Sequence, residues 1–97
     1  MQTISFSEKS GAYVSDIITA SADSMVLQIQ FELGKSGRSV LERSIDGENW
    51  TMASMITPYS FKDKTYEVGI SGIVVGQKLR VKFDNGVMPK QINILQQ

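Results

Sequence analysis

Side chains alternate along this chain with a period of two. In Val26-Leu27-Gln28-Ile29-Gln30-Phe31-Glu32-Leu33, the apolar Leu27, Ile29, Phe31 and Leu33 fall on one side, and Gln28, Gln30 and Glu32 on the other. Successive side chains of an extended strand point to opposite faces, so the pattern predicts a half-buried β-strand. Gln77 to Asp84 repeats it, with Leu79, Val81 and Phe83 inward and Lys78, Arg80 and Lys82 outward. Tyr66, Val68 and Ile70 alternate with Glu67, Gly69 and Ser71, and Ile92 and Ile94 alternate with Gln91 and Asn93. Ile4 and Phe6 form a short opening strand. No window of helical length carries an apolar stripe at helical spacing.

Three further stretches are rich in β-formers but break the alternation. Tyr13 to Ala20 contains the adjacent pair Ile17-Ile18, as a bulge would. In Arg38 to Ile45, Leu41 and Ile45 share a face with Arg43, and Val40 shares one with Glu42 and Ser44. Trp50 to Thr57 sets Trp50, Met52 and Ser54 against Thr51, Ala53 and Met55. The pattern assigns no inner face to the last two.

The punctuation suits hairpins. Gly34-Lys35-Ser36-Gly37, Asp46-Gly47-Glu48-Asn49 and Asp84-Asn85-Gly86 sit between strands, where Asp, Asn and Gly tolerate positive φ. Pro58 to Asp63 and Gly72 to Gly76 serve similarly. Short strands at roughly 8–12-residue spacing predict an all-β, antiparallel β-sandwich of about seven to eight strands, jelly-roll or immunoglobulin-like. Its 97 residues make one domain, residues 1–97. The expected core is Leu27, Ile29, Phe31, Val68, Ile70, Leu79, Val81, Phe83, Ile92 and Ile94.

Composition narrows the chemistry. There is no Cys and no His. That removes thiol nucleophiles, zinc knuckles, imidazole bases and the Ser-His-Asp triad. Lys+Arg and Asp+Glu number 10 each, so no bulk charge draws the chain to nucleic acid or an anionic membrane. Gly34-Lys35-Ser36 has the ending of a phosphate-binding loop, but Ile29 stands where that loop needs its first Gly, and a strand follows where that loop needs a helix. Asp46-Gly47-Glu48-Asn49 lacks the alternating oxygen ligands of a calcium loop, and reads as a turn in which Asp46 bonds its own backbone. The acids are scattered over outward positions such as Glu32, Glu67 and Asp84, without a cleft-bound pair. Lys78, Arg80 and Lys82 line one strand face without interleaved aromatics, so that face reads as a solvated mixture of charges with Glu32, Glu42 and Glu67 as neighbours. Asn49-Trp50-Thr51 matches an N-glycosylation sequon by chance. The expectation is a chain with no enzymatic activity, cofactor or obligatory metal, no nucleic-acid partner and no membrane insertion. Met1 to Phe6 lacks a basic start and an apolar run, which predicts synthesis in the cytoplasm without a signal peptide, with carriage in a virion left open.

The stretch Val40-Leu41-Glu42-Arg43-Ser44-Ile45-Asp46-Gly47-Glu48-Asn49-Trp50-Thr51 resembles the strand–Ser-x-Asp-Gly-x-x-Trp–strand hairpin of many β-sandwiches. Discoidin-like (coagulation factor 5/8 C-type) domains and fibronectin type III-like modules carry versions of it. So do small β-sandwich modules of tailed phages and prophages. In these a Gly-Gln-x-Leu-Arg-Val strand and a short last strand follow, as in Gly76-Gln77-Lys78-Leu79-Arg80-Val81 and then Pro89 to Leu95 here. Discoidin domains are longer than this chain, and their ligand-binding loops have no counterpart in it. The resemblance to the phage group implies a non-catalytic virion component, a capsid accessory or tail protein that works through oligomer contacts. The alternative is a small carbohydrate- or cell-surface-binding module. The two divide on whether aromatic rings stand exposed as platforms. The residues to watch for a ligand or an interface are Trp50, Tyr59, Phe61 and Met55, with Tyr13 as a further ring. Met52, Met55 and Ile56 form an apolar cluster suited to a homo-oligomer contact, and Trp50 is expected to lie buried over its hairpin.

Overall fold

The computed structural model describes residues 1–31, 38–56, 65–84 and 86–96. Ten strands occur among them: β1 (Gln2–Ile4), β2 (Phe6–Lys9), β3 (Ala12–Ser15), β4 (Ile18–Thr19), β5 (Met25–Phe31), β6 (Ser39–Ser44), β7 (Thr51–Ile56), β8 (Thr65–Ile70), β9 (Lys78–Phe83) and β10 (Pro89–Gln96). A four-stranded sheet has the order β1-β10-β5-β8. A six-stranded sheet has the order β2-β3-β9-β6-β7, with β4 also on β9. Every pairing between described strands is antiparallel. The protein is all-β, with two sheets enclosing one apolar core.

Ten strands rather than seven or eight arise because two runs are interrupted. The opening run is cut at Ser5. Ile4 pairs with Ile92 in the four-stranded sheet, whereas Phe6 pairs with Ser15 in the six-stranded one. The Asp16 amide donates to the Ser5 carbonyl at 2.8 Å, holding the point where the chain changes sheets. The second run is cut at Asp16 and Ile17. Val14 pairs with Lys82 and Ile18 with Leu79, so β3 and β4 share one side of β9 with a break between them. Val14 and Ile18 are four positions apart but Lys82 and Leu79 only three, so the run carries the extra residue of a bulge; Ile17 is 52% exposed and Ile18, at 3%, joins the core. Between β2 and β3, Ser10 and Gly11 both take positive φ, 54° and 83°, as a tight two-residue hairpin requires.

Alternation builds the core as expected on β5, β9 and β10. Leu27, Ile29, Phe31, Leu79, Val81, Phe83, Ile92 and Ile94 are all buried. Burying a side chain of that size contributes about 1.5–3 kcal/mol. Phe31 and Phe83 meet edge to face across the two sheets, 6.1 Å between centroids. Val68 and Ile70 are half-buried and pack against this core, because β8 is the last strand of its sheet. Leu41, Ile56, Ile73 and Val87, with Ile4, Ile18, Ala20 and Met25, complete it. The expected inward Leu33 and the Gly34–Gly37 loop lie outside the described residues, as do Pro58–Asp63 and Asn85.

Candidate functional site

The two ambiguous stretches become β6 and β7, and their hairpin carries the site. In β6, Ser39 and Leu41 face inward, and Val40 and Glu42 face outward beside Lys82 and Arg80 of β9. Arg43 falls on the inner side where the sandwich ends. Its Nη2 donates to the Gly72 carbonyl at 2.6 Å and to Gln77 Oε1 at 3.2 Å, tying β6 to the 71–77 loop. In β7, Leu41 pairs with Ser54 but Glu42 pairs with Met52, so Ala53 is an extra, bulged residue. Met52 and Met55 therefore both lie on the outer face, beside Glu42 and Val40. They would be on opposite faces of a regular strand.

The turn between these strands is built by its own side chains. Asp46 Oδ1 accepts the backbone N–H of Glu48 and of Asn49, each at 2.9 Å, and the Ser44 hydroxyl at 2.8 Å. Asn49 Nδ2 donates to Asp46 Oδ2 at 2.7 Å. Ser44 Oγ in turn accepts the Gly47 amide at 2.8 Å and the Asp46 amide at 3.2 Å. These bonds hold the Asp46 carboxyl well below the usual carboxylate range, the Asn49 amide contributing most and the Glu48 amide next. Gly47 has φ +79°, a conformation that side-chain-bearing residues rarely adopt, so the Asp-Gly order follows from the turn. The carboxylate oxygens are engaged by the chain itself. No group of three or more His, Cys, Asp or Glu able to hold a metal ion occurs among the described residues.

Trp50 follows this turn. Its ring lies over the Arg80 guanidinium, 4.1 Å from centroid to Cζ. Arg80 Nε also donates to Glu42 Oε1 at 2.7 Å, with both side chains partly buried. Arg80 alternates with the core residues Leu79 and Val81, so the stack is on the outer face of the six-stranded sheet. Trp50 is half-buried and does not join the core, against the expectation that it would lie buried over the hairpin. The reason is the parity of the turn, which returns Trp50 on the side of Glu42 and Arg80 and gives its π face a cation to cover.

The remaining residues singled out in the sequence separate. Met52 and Met55 are 56% and 44% exposed, whereas Ile56 is 1% exposed and belongs to the core. Tyr59 and Phe61 lie outside the described residues. Tyr13 is half-buried, edge to face with Phe6 at 5.8 Å, and packs against the core. Of the basic row, Arg80 is engaged by Glu42 and Trp50, and Lys78 Nζ donates to Thr19 Oγ1 at 2.9 Å. A shallow depression of about 600 Å³ beside the hairpin is lined by Arg43, Ile45, Asp46, Thr51, Met52 and Gln77, among others.

One feature was not foreseen. Across the outer face of the four-stranded sheet, the Thr3 hydroxyl donates to Asn93 Oδ1 at 2.9 Å, and Asn93 Nδ2 donates to Gln28 Oε1 at 3.1 Å. Gln28 Nε2 then reaches Glu67 Oε2 at 3.5 Å. These four residues share one register row over all four strands. Each lies at an outward position of its own strand, and only the register brings them together.

No protein-family model matches the chain, and no curated protein matches it. No helix among the described residues is long and apolar enough to cross a membrane.

Proposed function

We propose that this chain is a non-catalytic interaction module, a virion-associated capsid accessory or tail protein of the phage kind, that acts through contacts between copies of itself. The observation that carries this reading is the outer face of β7. Two large flexible apolar side chains, Met52 and Met55, stand in solvent there, beside a Trp50 already ordered by Arg80. Methionine and tryptophan are favoured in the buried centres of protein interfaces. The phage assignment rests on the hairpin and Gly76–Val81 resemblance. The test is the mass of the purified chain by light scattering over a wide concentration range. A multiple of the 10.7 kDa chain mass supports self-association, and a chain mass at every concentration counts against it.

The carbohydrate-binding reading draws support from the position of Trp50 at the surface. Arg80 covers one face of the ring, leaving only the other for a sugar. Titration of simple saccharides against the fluorescence of the single Trp tests it, a saturable change being the supporting result.

A further inference from the structure

Two chains meeting about a two-fold axis must present the same patch to each other, so that a residue contacting a second one is contacted by it in return. We propose that β7 pairs antiparallel with β7 of a second copy, joining the two six-stranded sheets edge to edge. This rests on the reading that the chain acts through contacts with itself, and names the surface that does so.

The argument starts from the edges. Among the described residues the sheets end on β1, β8, β2 and β7, and the two-residue β4 is also open on one side. An edge strand exposes unpaired N–H and C=O groups, and is commonly blunted by shortness or by charge. β1 has only three residues. β8 carries Glu67, and β2 carries Glu8 and Lys9. β7 is Thr51-Met52-Ala53-Ser54-Met55-Ile56, six residues without a charge, so two copies can approach without like-charge repulsion.

The strand is also self-complementary. With the axis between Ala53 and Ser54, Met52 lies opposite the partner copy's Met55, Ala53 opposite its Ser54, and Thr51 opposite its Ile56. Residues directly opposite in an antiparallel pair share a face. Met52 and Met55 do share a face, because the bulge at Ala53 reverses the alternation between them. A bulge often protects an edge. Here it aligns two exposed methionines, 56% and 44% open, into a pair that the same two residues of a second copy complete.

The chain has no Cys, so introduced cysteines report this register on a clean background. Opposite residues of an antiparallel pair have Cα atoms about 4.5–5.5 Å apart, within the reach of a disulfide. Two copies of position 52 would be offset by three residues, about 10 Å, beyond that reach. The full-length chain is made as Met52→Cys and as Met55→Cys, with circular dichroism to check the fold. Under mild oxidation, the mixture of the two variants should form a covalent dimer, and neither variant alone should do so. In parallel, Met55→Lys should reduce the light-scattering mass from dimer to chain mass. If the parent chain self-associates but the mixture does not link, or either variant links to itself, the β7 pairing is wrong and the self-association reading stands. If the parent chain has the chain mass at every concentration and the mixture does not link, both fall.

Discussion

The guanidinium of Arg80 lies against the ring of Trp50 at 4.1 Å and is held there by Glu42 at 2.7 Å. The three residues form a stack on the sheet surface, outside the core. Trp50→Ala should therefore cost about 1–2 kcal/mol, a cation–π contact plus partial burial, rather than the ~3–5 kcal/mol of a core indole. Chemical denaturation measures this, and a loss at the core value would place the ring inside. Arg80→Ala should shift the Trp50 emission to the red, because it uncovers one face of the ring.

The Asp46 carboxyl is depressed in the folded chain relative to an unfolded value of about 3.9. Its contribution to stability is present in full above that unfolded value. It is lost as pH falls through it toward the lower folded value. Melting temperature should accordingly fall on acidification below about pH 4, and Asp46→Ala should flatten that limb of the profile. An unchanged acid limb in the variant would show that other carboxylates carry it.

Core and edge positions with the same alternation should respond differently. Leu79 is fully buried on β9, between β6 and the β3–β4 run. Leu79→Ala should cost about 2–5 kcal/mol. Val68 is half-buried on the outermost strand of its sheet, and Val68→Ala should cost about 1 kcal/mol. Equal losses in urea unfolding would contradict this ranking.

Ser39 faces the core opposite Phe83 and Ile56, and its hydroxyl has no hydrogen-bond partner among the described residues. A buried unpaired hydroxyl is a cost that its removal relieves. Ser39→Ala should leave stability unchanged or raise it by up to about 1 kcal/mol. A clear loss by thermal unfolding would reveal a partner for the hydroxyl.

The candidate site was legible in part. In the sequence Met52 and Met55 read as members of an apolar cluster on a strand with no assigned inner face, and in the structure both are exposed. Ile56, grouped with them by proximity along the chain, turns into the core because the alternation past Ala53 carries it inward. Trp50 was legible as the residue that matters after the turn, but not its face. That depends on how Asp46 and Ser44 close the loop, and on Arg80 arriving from β9. Tyr59 and Phe61 lie outside the described residues.

By itself, the sequence determined the all-β class, the inner faces of β5, β9 and β10, and the Asp46-Gly47 turn. Each of these is local. Strict alternation leaves only one side that can be buried, and an Asp carboxylate reaches amides two and three residues on. Tertiary structure alone decided the facing of β6 and β7, the change of sheet at Ser5, and the Thr3–Asn93–Gln28–Glu67 row. Arg43 could sit on the inner side of β6 because Gly72 and Gln77 accept its hydrogen bonds at the end of the sandwich. Met52 and Met55 share a face because β6 pairs with β7 around an extra residue. Both depend on contacts between segments far apart in the chain, which alternation within one segment does not encode.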